Sequence, residues 1–372
     1  MRGTTTALLN ILFYVPLGVA AWWRWRAVDR AVGLGLAVSL AMEALQLVVP
    51  GRHSALSDLL ANTAGAGLGA LLAARPLLWM APRGAAARGA AATAALAAVA
   101  ALLAPALLFA RQAPKGPTWA QWKPNSGLGR RYGGEVLDAR VGDLTLPSRR
   151  LDAPAAARGR LLAGDVVEVR FVAAPPPRLH TVIFRVVTGT YGEGEDVLHL
   201  AAQGGTLFIA PRFRADALRL ARPALRLDDA LAHVAAGDTV RVAWRAHPAD
   251  GYEVRIGDAP PRRVGVGIAR GWHLVSPVER WPDAQARLLD AAWLLAIGGI
   301  AGWFALGPAG AAAAGLALMA TASIAPRWSD LLPTPPTALL FLALGVAAGH
   351  ALRRALMPRL AAAQRLEGAQ TS

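Results

Sequence analysis

Two carboxylates, one guanidinium and three carboxamides fall inside or beside apolar runs near the N-terminus of this chain. Glu43 and Gln46 are three residues apart, so on a helix they share one face. Asp58 and Asn62 are four apart, and Gly65 and Gly69 continue the same stripe. Arg52 lies between these pairs in the turn Pro50–Ser57, and Asn10, with Tyr14 and Gly18 at successive fourfold spacing, sits in the preceding apolar run. Paired carboxylates can share acid/base work, and a guanidinium can hold a phosphate or another anion. No nucleophile stands beside a base, and no His/Cys/Asp spacing matches a closed metal site, so no metal and no cofactor are expected. His53 is read as a hydrogen-bonded or solvated loop histidine.

These residues are unusual because of what surrounds them. A charge at the centre of a bilayer costs at least about 2.5 kcal/mol, so such groups face a bundle interior and often mark function. The chain is 55% apolar, with a mean hydropathy of +0.37, too high for an ordinary soluble domain. Runs of about 20 apolar residues predict seven membrane spans, near 5–23, 31–50, 58–79, 90–110, 288–306, 309–325 and 336–352. The first run leads into Trp22, Trp23, Arg24, Trp25 and Arg26, an aromatic belt with basic residues. It is read as a retained helix and not a cleaved signal. Residues Pro50–Ser57 form an external turn in which Ser57 or Asp58 can cap the third helix.

Arginine sets the orientation. Arg24, Arg26 and Arg30, then Arg75, Arg83 and Arg88, then Arg353, Arg354, Arg359 and Arg365 form three clusters at alternate helix ends. Placing all three in the cytoplasm puts the N-terminus, the 50–57 turn and residues 111–287 outside. The formal charge of +15 is therefore read as topology and arginine-rich composition, not as a nucleic-acid footprint. The chain has no cysteine, so the external part must be stable without disulfides.

In sequence order, Asn10, Tyr14, Pro16 and Gly18, then Glu43-x-x-Gln46, Arg52, and Asp58-x-x-x-Asn62-x-x-Gly65, resemble the VanZ-like family of bacterial membrane proteins. The resemblance covers roughly the first hundred residues. It implies a membrane protein of the cell envelope, in a family named for a member associated with teicoplanin resistance, without implying a biochemical activity. Members often carry one more helix ahead of the Asn10-to-Gly18 segment; here the chain begins with that segment, so the extra helix is either dispensable or lost to a late start codon.

Residues 111–287 change character. Apolar and polar residues alternate over 166–172 and 181–187. Further strands are expected at Val197–Leu200, Thr206–Ile209, Ala217–Leu220, Thr239–Trp244, Tyr252–Ile256 and Trp272–Val275. Gly/Asp/Pro punctuation between short strands predicts an antiparallel sandwich, and Asp250-Gly251 marks its clearest hairpin. The pattern around Trp244 and Tyr252–Gly257 loosely resembles concanavalin-like or laminin-G-like jelly rolls, which implies glycan binding or an adaptor role. Trp119, Trp122, Tyr191 and Trp272 can stack on sugars, and Gly192-Glu193-Gly194-Glu195-Asp196 can hold calcium, although a solvated turn is the simpler account of it. Arg212, Arg214, Arg219, Arg222 and Arg226 suggest one arginine-lined strand face.

The expected architecture is a polytopic α-helical membrane protein with about seven transmembrane helices and an inserted all-β, jelly-roll-like sandwich. The divisions are a four-helix domain over 1–110, the sandwich over 111–287, three helices over 288–355 and a tail over 356–372. Glu43, Gln46, Arg52, Asp58, Asn62 and Asn10 are expected to bind an envelope lipid, glycolipid or glycopeptide-type ligand at the outer leaflet of the inner membrane. Membrane lipids and an envelope glycan or glycolipid are the expected partners, without nucleic acid. A membrane enzyme acting on a lipid-linked phosphate or glycan precursor and a non-catalytic assembly scaffold are the alternatives.

Overall fold

The structure is a computed structural model. It describes all residues except 1–2, 47–55, 126–130, 190–193, 219, 222, 277–281 and 371–372, and it leaves the side chains at 3–9, 46, 77–78, 360–361 and 363–370 undescribed. The chain divides into two compact units, Met1–Ala90 with Arg354–Ser372, and Ala91–Arg353.

The first unit is built on α1 (Gly3–Trp25), α2 (Val28–Gln46) and α3 (Leu56–Ala74), followed by the short α4 (Pro76–Met80) and the start of α5 (Gly84–Leu108). Helix α3 is central because its buried face is made of small residues: Ala61, Asn62, Gly65, Ala66, Gly69, Ala70 and Ala73. A Cβ added to Gly65 would lie 2.2 Å from the Ile11 carbonyl oxygen, and one added to Gly69 would lie 2.1 Å from that of Val15. The α1 backbone occupies the space a side chain would need, which is the close approach expected of the Gly65/Gly69 stripe.

The second unit joins a β-sandwich-like domain to helices. Its elements are β1 (Thr118–Trp122), β2 (Glu135–Val141), β3 (Leu144–Thr145), α6 (Pro154–Ala163), β4 (Val167–Val172), β5 (Thr181–Thr188), β6 (Glu195–Gln203), β7 (Thr206–Pro211), α7 (Arg214–Ala217), β8 (Leu225–Leu227), β9 (Thr239–His247), β10 (Gly251–Ile256) and β11 (Arg262–Val264). Helices α8 (Asp283–Phe304), α9 (Gly307–Ile324) and α10 (Pro336–Gln370) complete the chain. One antiparallel sheet runs β1-β5-β6-β7-β8 and the other β11-β10-β9-β4-β2-β3. Phe171, Val242 and Trp244 from one sheet share an apolar core with Phe184, Leu200 and Ile209 from the other. The core continues into Leu102 and Phe109 near the end of α5 and into Leu294 and Leu342 of α8 and α10. In α8 and α10 small residues again set the spacing: a Cβ on Gly302 would lie 2.0 Å from the Val346 carbonyl oxygen. Arg353 on α10 donates to the carbonyl oxygens of Trp303 and Ala305 at 2.9 and 3.1 Å, satisfying the C-terminal end of α8.

Five helices among the described residues are long and apolar enough to cross a membrane: Leu56–Ala74, Gly84–Leu108, Asp283–Phe304, Gly307–Trp328 and Pro336–Arg359. The first two expected spans form helices α1 and α2 and are not among these five. The hairpin at Asp250-Gly251 is present, with Ala246 opposite Tyr252 and Trp244 opposite Val254. Two expected strands are corrected. Ala217 ends the one-turn helix α7 and Leu218 caps it, the helix start being fixed by Asp216 accepting from the Phe213 amide at 2.8 Å, while residue 219 lies outside the described residues. Residues 272–275 belong to the 3-10 helix Ile268–Val275, because the Trp272 indole must turn toward Asp290. Of the arginines expected to line one strand face, Arg219 and Arg222 lie outside the described residues, Arg214 is in helix α7, and Arg212 and Arg226 are engaged by carboxylates. Arg212 is buried and pairs with Glu195 at 2.8 Å, while Arg226 pairs with Asp228 at 2.6 Å and stacks over Phe208.

Candidate functional site

Helices α2 and α3 pack antiparallel in a register that two contacts define. Gly35 faces Ala66, whose Cβ would lie 2.4 Å from a Cβ added at Gly35. One turn nearer the intervening 47–55 segment, the Asn62 amide donates to the Ser39 hydroxyl at 2.9 Å. Both of these residues are buried, Ser39 fully and Asn62 to 7% exposure. The same four-residue step carries Glu43 to the level of Asp58, one turn further on. The two carboxylates and the buried amide therefore occupy adjacent turns of one helix pair.

The Asn62 Oδ1 atom is buried with no hydrogen-bond partner among the described residues. An amide oxygen left so costs about 1–3 kcal/mol, so this end of the pair has spare acceptor capacity. Glu43, Asp58 and Asn10 are half-buried, and Ser57 donates to Asp58 at 3.5 Å. Thr63 turns its hydroxyl back to the Leu59 carbonyl at 2.8 Å, which keeps it out of the site. Gln46 occupies the last turn of α2, and its side chain lies outside the described residues, as do Arg52 and His53. Ser39 was not singled out by sequence. A serine between alanine-rich turns carries little signal until its partner on α3 is known.

The sandwich holds a second concentration of polar groups. Between the sheets lies a cleft of about 40 Å³ bordered by Arg111, Gln112, Arg212, Trp244 and Tyr252. The Tyr252 hydroxyl, Gln112 Oε1 and Arg212 Nε are buried without hydrogen-bond partners among the described residues. Burial pushes the Tyr252 phenol far up from its ordinary value, Asp330 adds to the rise, and Arg111 opposes it. Its hydroxyl is therefore a neutral donor at any physiological pH. The polar atoms suit ordered water in so small a space.

The described aromatic residues expected to meet sugars each have the indole N–H taken within the protein. Trp119 donates to the Gly189 carbonyl at 3.1 Å, Trp122 to that of Leu146 at 3.0 Å, and buried Trp272 to Asp290 at 2.8 Å. Tyr191 lies outside the described residues. In the acidic loop, Glu195 is taken by Arg212 and Asp196 by His199 and Arg185, while 192–193 lie outside the described residues. Among the described residues no group of three or more His, Cys, Asp or Glu side chains is arranged to hold a metal ion.

No curated protein and no solved structure matches the chain. The family comparison falls on the helices that carry the polar site. Residues 2–79 match the family described as VanZ/LLP1, so the VanZ-like resemblance of the N-terminal helices is real and ends before the sandwich begins.

Proposed function

We propose that this membrane protein belongs to the bacterial cell envelope and that its VanZ-like helices bind an envelope lipid, glycolipid or glycopeptide-type ligand at the outer leaflet. The observation that carries this is the α2–α3 pair itself. A buried amide with an unused acceptor sits one turn from two carboxylates at a single helical level, on the segment that matches the family. Polar groups concentrated in this way at the end of an apolar bundle are costly unless a ligand or partner uses them. Arg52 supplies the anion-recognising group and Gln46 and Asn10 further amides.

The test is photocrosslinking of a lipid or glycopeptide probe to the purified protein. Arg52→Ala and Asp58→Asn weaken labelling while membrane yield is unchanged. If the substitutions only lower the amount of folded protein, the helix pair is an assembly element and ligand binding is wrong. Turnover of a labelled lipid-linked precursor, abolished by Asp58→Asn, would instead make the protein an enzyme.

The topology that accompanies this proposal has seven spans, α1 and α2 included, in the inner membrane, with a jelly-roll-like sandwich outside. The 23-residue length of α1 and the 19-residue length of α2 support it, as do the arginines at alternate helix ends. Because the chain has no cysteine, single cysteines at Asp229 and Ala362 report sidedness directly. An impermeant maleimide labels the first and not the second in intact spheroplasts; the reverse pattern would sink the orientation.

A further inference from the structure

The outward face of the six-stranded sheet carries arginine on four adjacent strands. Arg140 lies on β2, Arg170 on β4, Arg241 and Arg245 on β9, and Arg255 on β10, with Arg263 on β11 beside them. Register sorts them into rows. Asp138, Arg170 and Arg241 stand in one; Arg140, Glu168, Ala243 and Arg255 in the next; Arg245, Glu253 and Arg263 in the third. Placing Arg170 directly opposite Arg241 is unfavourable by itself. Carboxylates offset it: Asp138 pairs with Arg170, and Glu168 pairs with both Arg140, at 3.1 Å, and Arg241. Glu253 lies between Arg245, at 3.3 Å, and Arg263, at 3.6 Å. Each carboxylate holds guanidiniums by one edge and leaves other N–H groups toward solvent.

The middle of this array is hollow. Ala243 stands between Glu168 and Arg255 with no long side chain, and Gly257 follows beside Arg241. Together they floor a depression of about 290 Å³ lined by Arg241, Arg245 and Arg255, with Glu168 and Glu253 on its border already paired to arginines of the face. Arg255 is exposed and has no ion-pair partner among the described residues. Six guanidiniums meet five carboxylates on this face, Glu135, Asp138, Glu168, Asp250 and Glu253, and Arg255 is the cation left over beside the depression.

We propose that this face binds a polyanionic chain bearing phosphate or carboxylate groups, with one such group seated over Ala243 among Arg241, Arg245 and Arg255. Arginine suits the task because its planar fork takes two oxygens of one oxyanion at once and is weakly hydrated. With strands about 4.8 Å apart, the guanidiniums of a row stand one to three strands from each other, a spacing that a chain with charges at intervals can follow. A flat lipid surface would not enter the recess. The proposal deepens the reading of the sandwich as a glycan-contacting domain and is independent of the helical ligand site, so Arg52→Ala leaves it untouched.

The experiment uses the full-length protein in phosphatidylcholine nanodiscs, titrated with inorganic polyphosphate, polygalacturonate and neutral dextran at low and high NaCl. An anionic polymer binds, dextran does not, and salt weakens the binding. Polyphosphate alone assigns phosphate and polygalacturonate alone assigns carboxylate. Arg255→Gln combined with Arg245→Gln weakens binding about tenfold, whereas Arg149→Gln, on an exposed loop, leaves it unchanged. Arg255 has no ion pair to lose among the described residues, so the single Arg255→Gln variant keeps its far-ultraviolet circular dichroism and still binds more weakly. Equal binding of dextran, or unaltered affinity in these variants, overturns the proposal. So does a failure of both polymers beside arginine-dependent capture of phosphatidylglycerol vesicles, which would make the face a lipid contact.

Discussion

Arg111 and Asp330, 219 residues apart in the chain, form a two-pronged ion pair: Arg111 Nε donates to Asp330 Oδ2 at 2.6 Å and Nη2 to Oδ1 at 3.3 Å. Arg111 lies just past the end of α5, and Asp330 lies between α9 and α10, so the pair fixes the sandwich entrance to the C-terminal helices. The Asp330 side chain is 11% exposed, too little for water to replace a lost partner. Arg111→Ala is expected to cost about 3 kcal/mol in denaturant unfolding followed by tryptophan fluorescence. The double variant with Asp330→Ala loses less than the sum of the two single losses; strict additivity would show that the pair is not coupled.

The α1–α3 contact gives a sharper contrast. Gly69→Val places atoms where the Val15 carbonyl already sits and is expected to lower stability in micelles by about 3 kcal/mol. Gly67→Ala meets only a Val32 methyl at 3.2 Å and should be nearly silent. Similar melting curves for the two variants would mean that the helices are not packed this closely.

Asn62→Ala removes the donor to Ser39 and is expected to cost about 1 kcal/mol, the scale of polar contacts between membrane helices. A cycle with Ser39→Ala isolates the bond. A ligand-binding role predicts that Asn62→Ala weakens photocrosslinking more than this small stability change explains. Loss of labelling in proportion to loss of folded protein would count against it.

Glu168 makes acid stability specific to one residue. Burial pushes its carboxyl up, but the bonds and charges of Arg241 and Arg140 together outweigh it and hold the group below its ordinary carboxylate value. A lowered folded value means that its contribution is present above the unfolded carboxylate value and fades as pH falls through the folded one. The protein should therefore lose stability more steeply than Glu168→Gln does as pH falls below the ordinary carboxylate range. Parallel pH profiles for the two proteins would contradict the assignment.

Apolar length and alternation made the broad plan legible from sequence. Helices, a sandwich between them, the hairpin at Asp250-Gly251 and the Gly65/Gly69 stripe all follow from periods of 3.6 and 2 that local chemistry imposes. Several elements escaped: β1, with Trp119 and Trp122 as its bulky members, the seven-residue β2, whose alternation shifts between Val136 and Asp138, the ten-residue α6, and β8, only three residues long. The run Trp272–Val275 reads as a strand until Asp290, 18 residues away, claims the Trp272 indole.

The residues of the polar hairpin were likewise visible, because Glu43, Asp58 and Asn62 interrupt apolar runs in which each charge or amide carries a cost. Sequence by itself determined which residues are polar in a membrane segment and which faces alternate in a strand, since these depend only on neighbours along the chain. The Ser39–Asn62 bond, the level shared by Glu43 and Asp58, and the gathering of arginines around Ala243 were decided only by tertiary structure. They depend on the register between separate elements, and that is set by how side chains of distant segments fit, not by any local preference.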